Sequence, residues 1–333
     1  MTENCWTSKI WTEEHPSPKH EVICRHCHAR NRVIVARAVI EPEKFVCAQC
    51  KEPLFLTPDE PLISLSSRSF EHPLDASTLR TLRAIPGASL LLKALFKHIN
   101  ERALLYNLSA NAIHCSDEQF PELMNIVHRA AFCLDCKLDL NLFFTSMPFS
   151  NAFTSGGAKA ILCFSTALLN HLSDDELLFT TGHELGHLMS DHMISRLLLE
   201  ILLSGGLSAL PEFARYISLP IQLALLKWIR CSELTADRAG LLACRNVTTA
   251  LNCMMKLAAG NDPGVTSRTN LSLAAFVEQA YNLKNQDSQL LDSIVASFFV
   301  RNQTHPLIAW RVLELIDWVE NGNYFDILAG KYI

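Results

Sequence analysis

The sequence predicts an α+β fold, predominantly helical, with a small β-rich module in front. Three observations carry this. Beyond residue 70, apolar residues recur at helical spacing through most of the chain. Two short apolar runs, 138–144 and 159–164, read as strands. The N-terminal part holds two close cysteine pairs around the β-rich run Arg32-Val33-Ile34-Val35. With 333 residues, 49% apolar and 19% charged, the chain can bury a large core and is long enough for two domains, so wholesale disorder is excluded. The net charge of −5 lacks the basic excess of a nucleic-acid binder, and no nucleic-acid partner is expected.

Residues 1–20 read as a polar tail. They hold Glu3, Glu13, Glu14 and His15 and no apolar core of a signal peptide, which predicts a cytoplasmic protein. The module spans 21–56. Residues 57–70, rich in Pro and Ser, read as a linker, and 71–333 as the second domain. Helices are expected at 75–84 and 88–105, separated by Pro86-Gly87, and at 117–134. After the strands and the loop 148–157, Ser173 and Glu176 form a capping box that opens a helix running to about residue 199. Further helices are expected at 220–245, 247–258, 272–284, 288–300 and 305–320. The most apolar stretch, 197–229, is interrupted by Glu200, Glu212, Arg215 and Lys227 and broken by Pro211 and Pro220. No run reaches the ~18 apolar residues of a membrane span. The stretch reads as two short helices. They are either buried in the core or make a peripheral contact with a partner or the cytoplasmic face of a membrane.

Cys24-Arg25-His26-Cys27 and Cys47-Ala48-Gln49-Cys50 are separated by nineteen residues. Four thiolates in two close pairs match a tetrahedral, structural zinc, each pair forming a knuckle. The segment resembles the small zinc ribbons found ahead of other bacterial domains, although no glycine follows either knuckle. A closed four-cysteine site has no open position, so no catalysis is expected there. The other eight cysteines, including the pair Cys133 and Cys136, read as ordinary thiols in a reducing compartment.

His183-Glu184-Leu185-Gly186-His187 is the chemical centre of the sequence. On a helix His183 and His187 lie one turn apart on one face, so both imidazoles can bind one zinc. Glu184 lies beside them, where its carboxylate can take a proton from a zinc-bound water and deliver it to a leaving amine. A second helix offers carboxylates at i and i+4 in Glu233 and Asp237, one to complete the ligand set and one to orient a ligand histidine. The small and apolar neighbours Ala236, Ala239, Gly240, Leu241 and Leu242 argue that this face is buried.

These motifs resemble the M48 peptidases, gluzincins that include the HtpX-like and CAAX prenyl proteases. Gly182 to His187 with His192 matches the family's first zinc helix, and Ser232-Glu233 through Ala236-Asp237-Arg238-Ala239-Gly240 its second. Asn151-Ala152-Phe153-Thr154 with Gly156 matches a loop before the edge strand, and Thr304-His305-Pro306 with Arg311 a late element. The likeness runs from Phe70 to about Trp318. It implies a zinc endopeptidase acting on protein or peptide substrates, with ligands His183, His187 and Glu233, general base Glu184 and Asp237 behind the ligands. Two zinc ions per chain follow, one catalytic and one in the ribbon. The resemblance also implies that Asn151, Ala152 and Phe153 contact substrate and that a strand at 159–164 pairs with its backbone. His305 and Arg311 are expected to face the catalytic zinc. His305 would plug it at rest or stabilise the transition state, and Arg311 would clamp the oxygen of the tetrahedral intermediate. His192, five residues past His187, is rotated off the ligand face of a continuous helix and is expected to be structural. The competing function is a catalytically silent zinc-holding adaptor or chaperone-like protein. Glu184 argues against it, because a scaffold needs the ligands but not the base.

Overall fold

Cysteine spacing sets the first structure in the chain. After a short helix α1 (Thr7–Ile10), strands β1 (Lys19–Ile23) and β2 (Arg30–Ile34) pair antiparallel across the first knuckle, with Val22 opposite Asn31. Helix α2 (Val35–Ile40) follows and leads to the second knuckle. A computed structural model describes residues 6–13, 15–88, 101–137, 139–146, 151–155, 160–192, 212–260, 271–284 and 307–333. The expected helix 288–300, the element Thr304-His305-Pro306 and residues 197–211 of the apolar stretch lie outside the described residues.

The second part is mostly helical: α3 (Pro73–Ala84), α4 (Glu101–Asn111) and α5 (Pro121–Cys133) precede the sheet. Strands β3 (Ile113–His114), β4 (Leu140–Thr145), β5 (Ala152–Ser155) and β6 (Ala160–Ser165) form one sheet in the order β3-β4-β6-β5. β6 runs parallel to β4 and antiparallel to β5, with Thr154 opposite Leu162. This corrects the sequence expectation that residues 159–164 form the edge strand. Both sides of β6 are taken, and all six of its residues are buried. The uninterrupted apolar run Ile161-Leu162-Cys163-Phe164 is the pattern of an interior strand. The Asn151-Ala152-Phe153 segment, expected as a loop, enters the outer strand itself.

Past α6 (Thr166–His171), α7 (Asp174–Met189) starts at the predicted capping box. The Ser173 amide donates to Glu176 Oε2 at 2.8 Å, and the Glu176 amide donates to Ser173 Oγ at 3.4 Å. The helix stops ten residues before the expected end, because Asp191 turns left-handed (φ 55°) and the His192 amide reaches back to the His187 carbonyl. Helix α8 (Glu212–Cys244) continues through Pro220, where a break was expected. A proline removes one amide donor and crowds one carbonyl, and here the helix tolerates both within its 33 residues. The chain ends with α9 (Val247–Ala259), α10 (Leu273–Lys284), α11 (Ile308–Glu320) and α12 (Asn323–Leu328). Among the described residues no helix is long and apolar enough to cross a membrane. In the described part of the apolar stretch, Ile221, Leu225, Trp228 and Ile229 are buried.

The N-terminal module shares its core with the helices. Val22, Val33, Val35, Leu54 and Phe55 belong to the same buried cluster as Leu178, Leu242, Trp318 and Phe325. Residues 57–70, expected as a linker, are packed: Leu62 and Phe70 are fully buried, and the Leu62 and Ser66 amides donate to the carbonyls of Cys133 and Ile333. The tail is anchored too, through buried Trp6 and a 2.7 Å bond from Trp11 Nε1 to Glu320. Prolines and serines set local chain direction, but the apolar residues between them found a surface to cover.

Candidate metallopeptidase centre

The centre rests on the contact between α7 and α8, and glycines make that contact close. A methyl at Gly182 would overlap the Ala243 methyl. One at Gly186 would come within 2.5 Å of Ala239 Cβ, and one at Gly240 within 2.8 Å of the Phe179 carbonyl oxygen. With small residues facing small residues, the backbones approach until a glutamate on α8 reaches histidines on α7. Glu233 Oε2 lies 3.5 Å from His183 Nε2, and Glu233 Oε1 lies 3.4 Å from His187 Nε2. The donor atoms of His183, His187 and Glu233 all lie within 4.8 Å of one another, and all three residues are buried. Three such donors converging on one point can hold a metal ion.

The charge around this point is arranged for a cation. Burial opposes a positive His183, but the hydrogen bonds and charges of Asp237 and Glu233 overcome it and push its pKa up to about 9. His183 Nδ1 sits 3.0 Å from Asp237 Oδ1, so Asp237 orients the ring whose other nitrogen faces Glu233. Arg311, on α11, donates from Nε to Asp237 Oδ2 at 2.7 Å and from Nη2 to Oδ1 at 2.5 Å, and its Nη1 lies 3.1 Å from Glu233 Oε2. Burial alone would raise the Asp237 pKa, and the Arg311 guanidinium and His183 hold it below the usual carboxylate range.

Glu184 reaches β5. The Thr154 hydroxyl donates to its Oε2 at 3.1 Å, and its buried Oε1 has no hydrogen-bond partner among the described residues. A small cavity here is lined by Glu184, His183, Arg311, Asn151, Ala152 and Thr180 among others. Along β5 the side chains alternate. Ala152 and Thr154 face the centre, while Phe153 packs on the other side of the sheet with Leu108, Phe143 and Cys163. Of the residues named from sequence, His183, Glu184, His187, Glu233, Asp237, Arg311, Asn151 and Ala152 are thus brought together. Phe153 faces away, and His305 lies outside the described residues.

The family assignment follows from this arrangement together with the sequence match. The model of peptidase family M48 matches residues 117–319, which include strands β4 to β6, helices α7 and α8, and Arg311. The chain belongs to peptidase family M48. A relative in Arabidopsis thaliana, described as a plastoglobule-localized metallopeptidase 48, chloroplastic, is 31% identical over 266 residues, covering 79% of this chain and 76% of its own. No solved structure matches.

Sequence reasoning set His192 aside as structural but missed the buried groups it joins behind His187. His192 Nδ1 lies 3.2 Å from His187 Nδ1, and His192 Nε2 lies 2.9 Å from Asp75 Oδ2. Burial would raise the Asp75 pKa, but hydrogen bonds from His192, Thr235 and Trp228 keep it below its ordinary value. The signal that could have found Asp75 is its place in the first turn of a helix started by Pro73.

The second donor set is the ribbon. Cys24, Cys27, Cys47 and Cys50 converge, with Sγ–Sγ distances of 3.6 Å between Cys24 and Cys50 and 3.5 Å between Cys27 and Cys47. The residues after the knuckles, His28 (φ 59°) and Lys51 (φ 67°), take the left-handed conformation that glycine usually supplies. Backbone amides of Cys50 and Gln49 and the Asn31 side chain favour the Cys47 thiolate and push its pKa down to about 6.

Proposed function

We propose that this protein is a zinc endopeptidase in which His183, His187 and Glu233 hold the catalytic ion and Glu184 is the general base. The observation that carries the reading is the pairing of a converged three-donor set with a carboxylate aimed into the adjacent cavity. The donor spacing supports zinc. Bonds of about 2.0–2.1 Å in a tetrahedron put ligand atoms about 3.3–3.4 Å apart, and zinc–sulfur bonds of about 2.3 Å put sulfurs about 3.8 Å apart. The separations of 3.4 and 3.5 Å around Glu233 and of 3.5 and 3.6 Å between cysteine sulfurs are close to these edges.

Zinc bound there supplies Lewis acidity to a carbonyl and acidifies water. The chain's own residues do the rest. Glu184 accepts a proton from the attacking water on its Oε1 and returns it to the leaving amine, while Thr154 holds Oε2 in place. Asp237 fixes His183, and Arg311 fixes both Asp237 and Glu233. With its guanidinium engaged on two carboxylates, Arg311 is a positioning residue in this reading. The role of donor to the developing oxyanion falls to His305. The substrate lies extended along the outer edge of β5, which has a strand neighbour on one side only among the described residues. The ribbon zinc is structural. We place the reaction in a reducing compartment, the cytoplasm, because none of the eleven described cysteines is in a disulfide. The apolar stretch 197–229 is the candidate for peripheral contact with a membrane or partner.

Glu184→Gln tests the assignment. It should keep two zinc ions per chain and wild-type stability while peptide cleavage falls by ~10²–10⁴. Unchanged turnover in the zinc-loaded variant would remove Glu184 from the chemistry.

A further inference from the structure

Donors and acceptors behind His187 can be ordered one by one. Trp228 Nε1, which can only donate, lies 2.7 Å from Asp75 Oδ1. Thr235 Oγ1 accepts from the His72 amide at 3.0 Å, so its single hydrogen goes to Asp75 Oδ2 at 2.5 Å. Asp75 is therefore an acceptor on both oxygens, and His192 Nε2, at 2.9 Å from Oδ2, must carry a hydrogen toward it. A neutral imidazole protonated on Nε2 presents a bare lone pair on Nδ1. That lone pair faces His187 Nδ1 at 3.2 Å, so His187 must carry its hydrogen there. The remaining nitrogen of His187, the Nε2 that faces Glu233, is left as a bare donor.

We propose that Asp75 and His192 are positioning residues that lock His187 in its metal-binding tautomer through a one-way hydrogen-bond chain. The chain is anchored by Trp228 and Thr235. The proposal rests on reading His187 as a ligand. All the members are buried: Asp75 is 1% exposed and His192 4%, so water does not compete for these bonds. The chain exists because α7 ends at Met189. The left-handed Asp191 folds His192 back under the last helical turn, with the two imidazole rings 5.4 Å apart and 71° inclined. It also connects three distant parts of the sequence, namely α3, the turn after α7, and α8 at Trp228 and Thr235. His183 has its own orienting group in Asp237, so each ligand histidine is held by a separate carboxylate, one directly and one through a second imidazole.

The direct test is ¹⁵N-histidine NMR of the zinc-loaded wild-type protein, with His192 assigned by the signals lost in His192→Gln. The expected spectrum shows His187 protonated on Nδ1 and His192 protonated on Nε2. A His192 protonated on Nδ1 overturns the proposal. Chelator competition at the catalytic site supplies a second readout. His192→Phe keeps the ring volume without hydrogen bonds, and should weaken zinc there by ~10–100-fold. His192→Gln offers an acceptor and a donor spaced like the two ring nitrogens, and should bind zinc more tightly than the Phe variant. A Phe variant equal to wild type, or equal to Gln, means that His192 only fills space and sinks the chain. If His192→Phe does not fold, the tautomers of the wild-type protein decide alone. His187→Ala separates the two levels: a retained catalytic zinc in that variant refutes the ligand reading itself, whereas its loss leaves the chain to stand or fall on the His192 results.

Discussion

Arg311, named from sequence, is surrounded by carboxylates in the fold. Its nitrogens meet Asp237 and Glu233, which stand one helical turn apart on α8, and it is itself buried. Two buried carboxylates this close repel each other, and the guanidinium supplies positive charge to both of them. Arg311→Met should cost about 3–5 kcal/mol of stability in urea unfolding, because it leaves uncompensated buried charge. A variant as stable as wild type would show that the carboxylates do not depend on it. His183, Glu184, His187, Glu233 and Asp237 were legible because their roles follow from one-turn spacing on single helices. The meeting of Asp75 with His192 was not, since it depends on where α7 stops, and a single left-handed residue, Asp191, decides that.

At the level of elements, the centre depends on how closely α7 and α8 pack. Gly240 is the tightest point against fixed backbone: an added methyl would meet the Phe179 carbonyl oxygen at 2.8 Å and its ring carbons at 2.9 Å. A backbone oxygen cannot rotate away, so Gly240→Ala must push α8 off α7 and carry Glu233 with it. The expected cost is about 1–3 kcal/mol, seen as a lower Tm, together with weaker binding of the catalytic metal. Unchanged Tm and metal affinity would mean that the helices have slack that the structure does not show. The two helices themselves were readable from sequence through the Ser173 capping box and the small-residue face of α8. The sheet was read less well. Strand order is a long-range property, and an apolar run such as 160–164 cannot say whether one or both of its edges are paired until β4 and β5 are in place.

Across the whole molecule, the ribbon and the helices form one structure. Leu56 donates its amide to the Leu328 carbonyl, His20 sits 3.0 Å from Asp326, and Arg25 reaches Glu60 at 2.8 Å, all around a continuous buried cluster. The composition of 57–70 suggested a linker because prolines and serines are common in linkers. The burial of Leu62, Leu65 and Phe70 depends on a partner surface that local composition does not reveal. Removing the ribbon metal should therefore destabilise the entire chain. Cys27→Ser should lower the zinc count by one and lower a single cooperative melting transition, whereas two separate transitions would show independent domains. In the proposed reading, this single body hydrolyses peptide bonds at the His183, His187 and Glu233 site. The measurement that tests it most directly is the cleavage of an unfolded protein substrate by wild-type protein carrying two zinc ions per chain. The account predicts hydrolysis that stops when a chelator removes the catalytic ion and returns when one equivalent of zinc is restored. Protein loaded at both sites that leaves the substrate intact would contradict it, and would point to a zinc-holding scaffold.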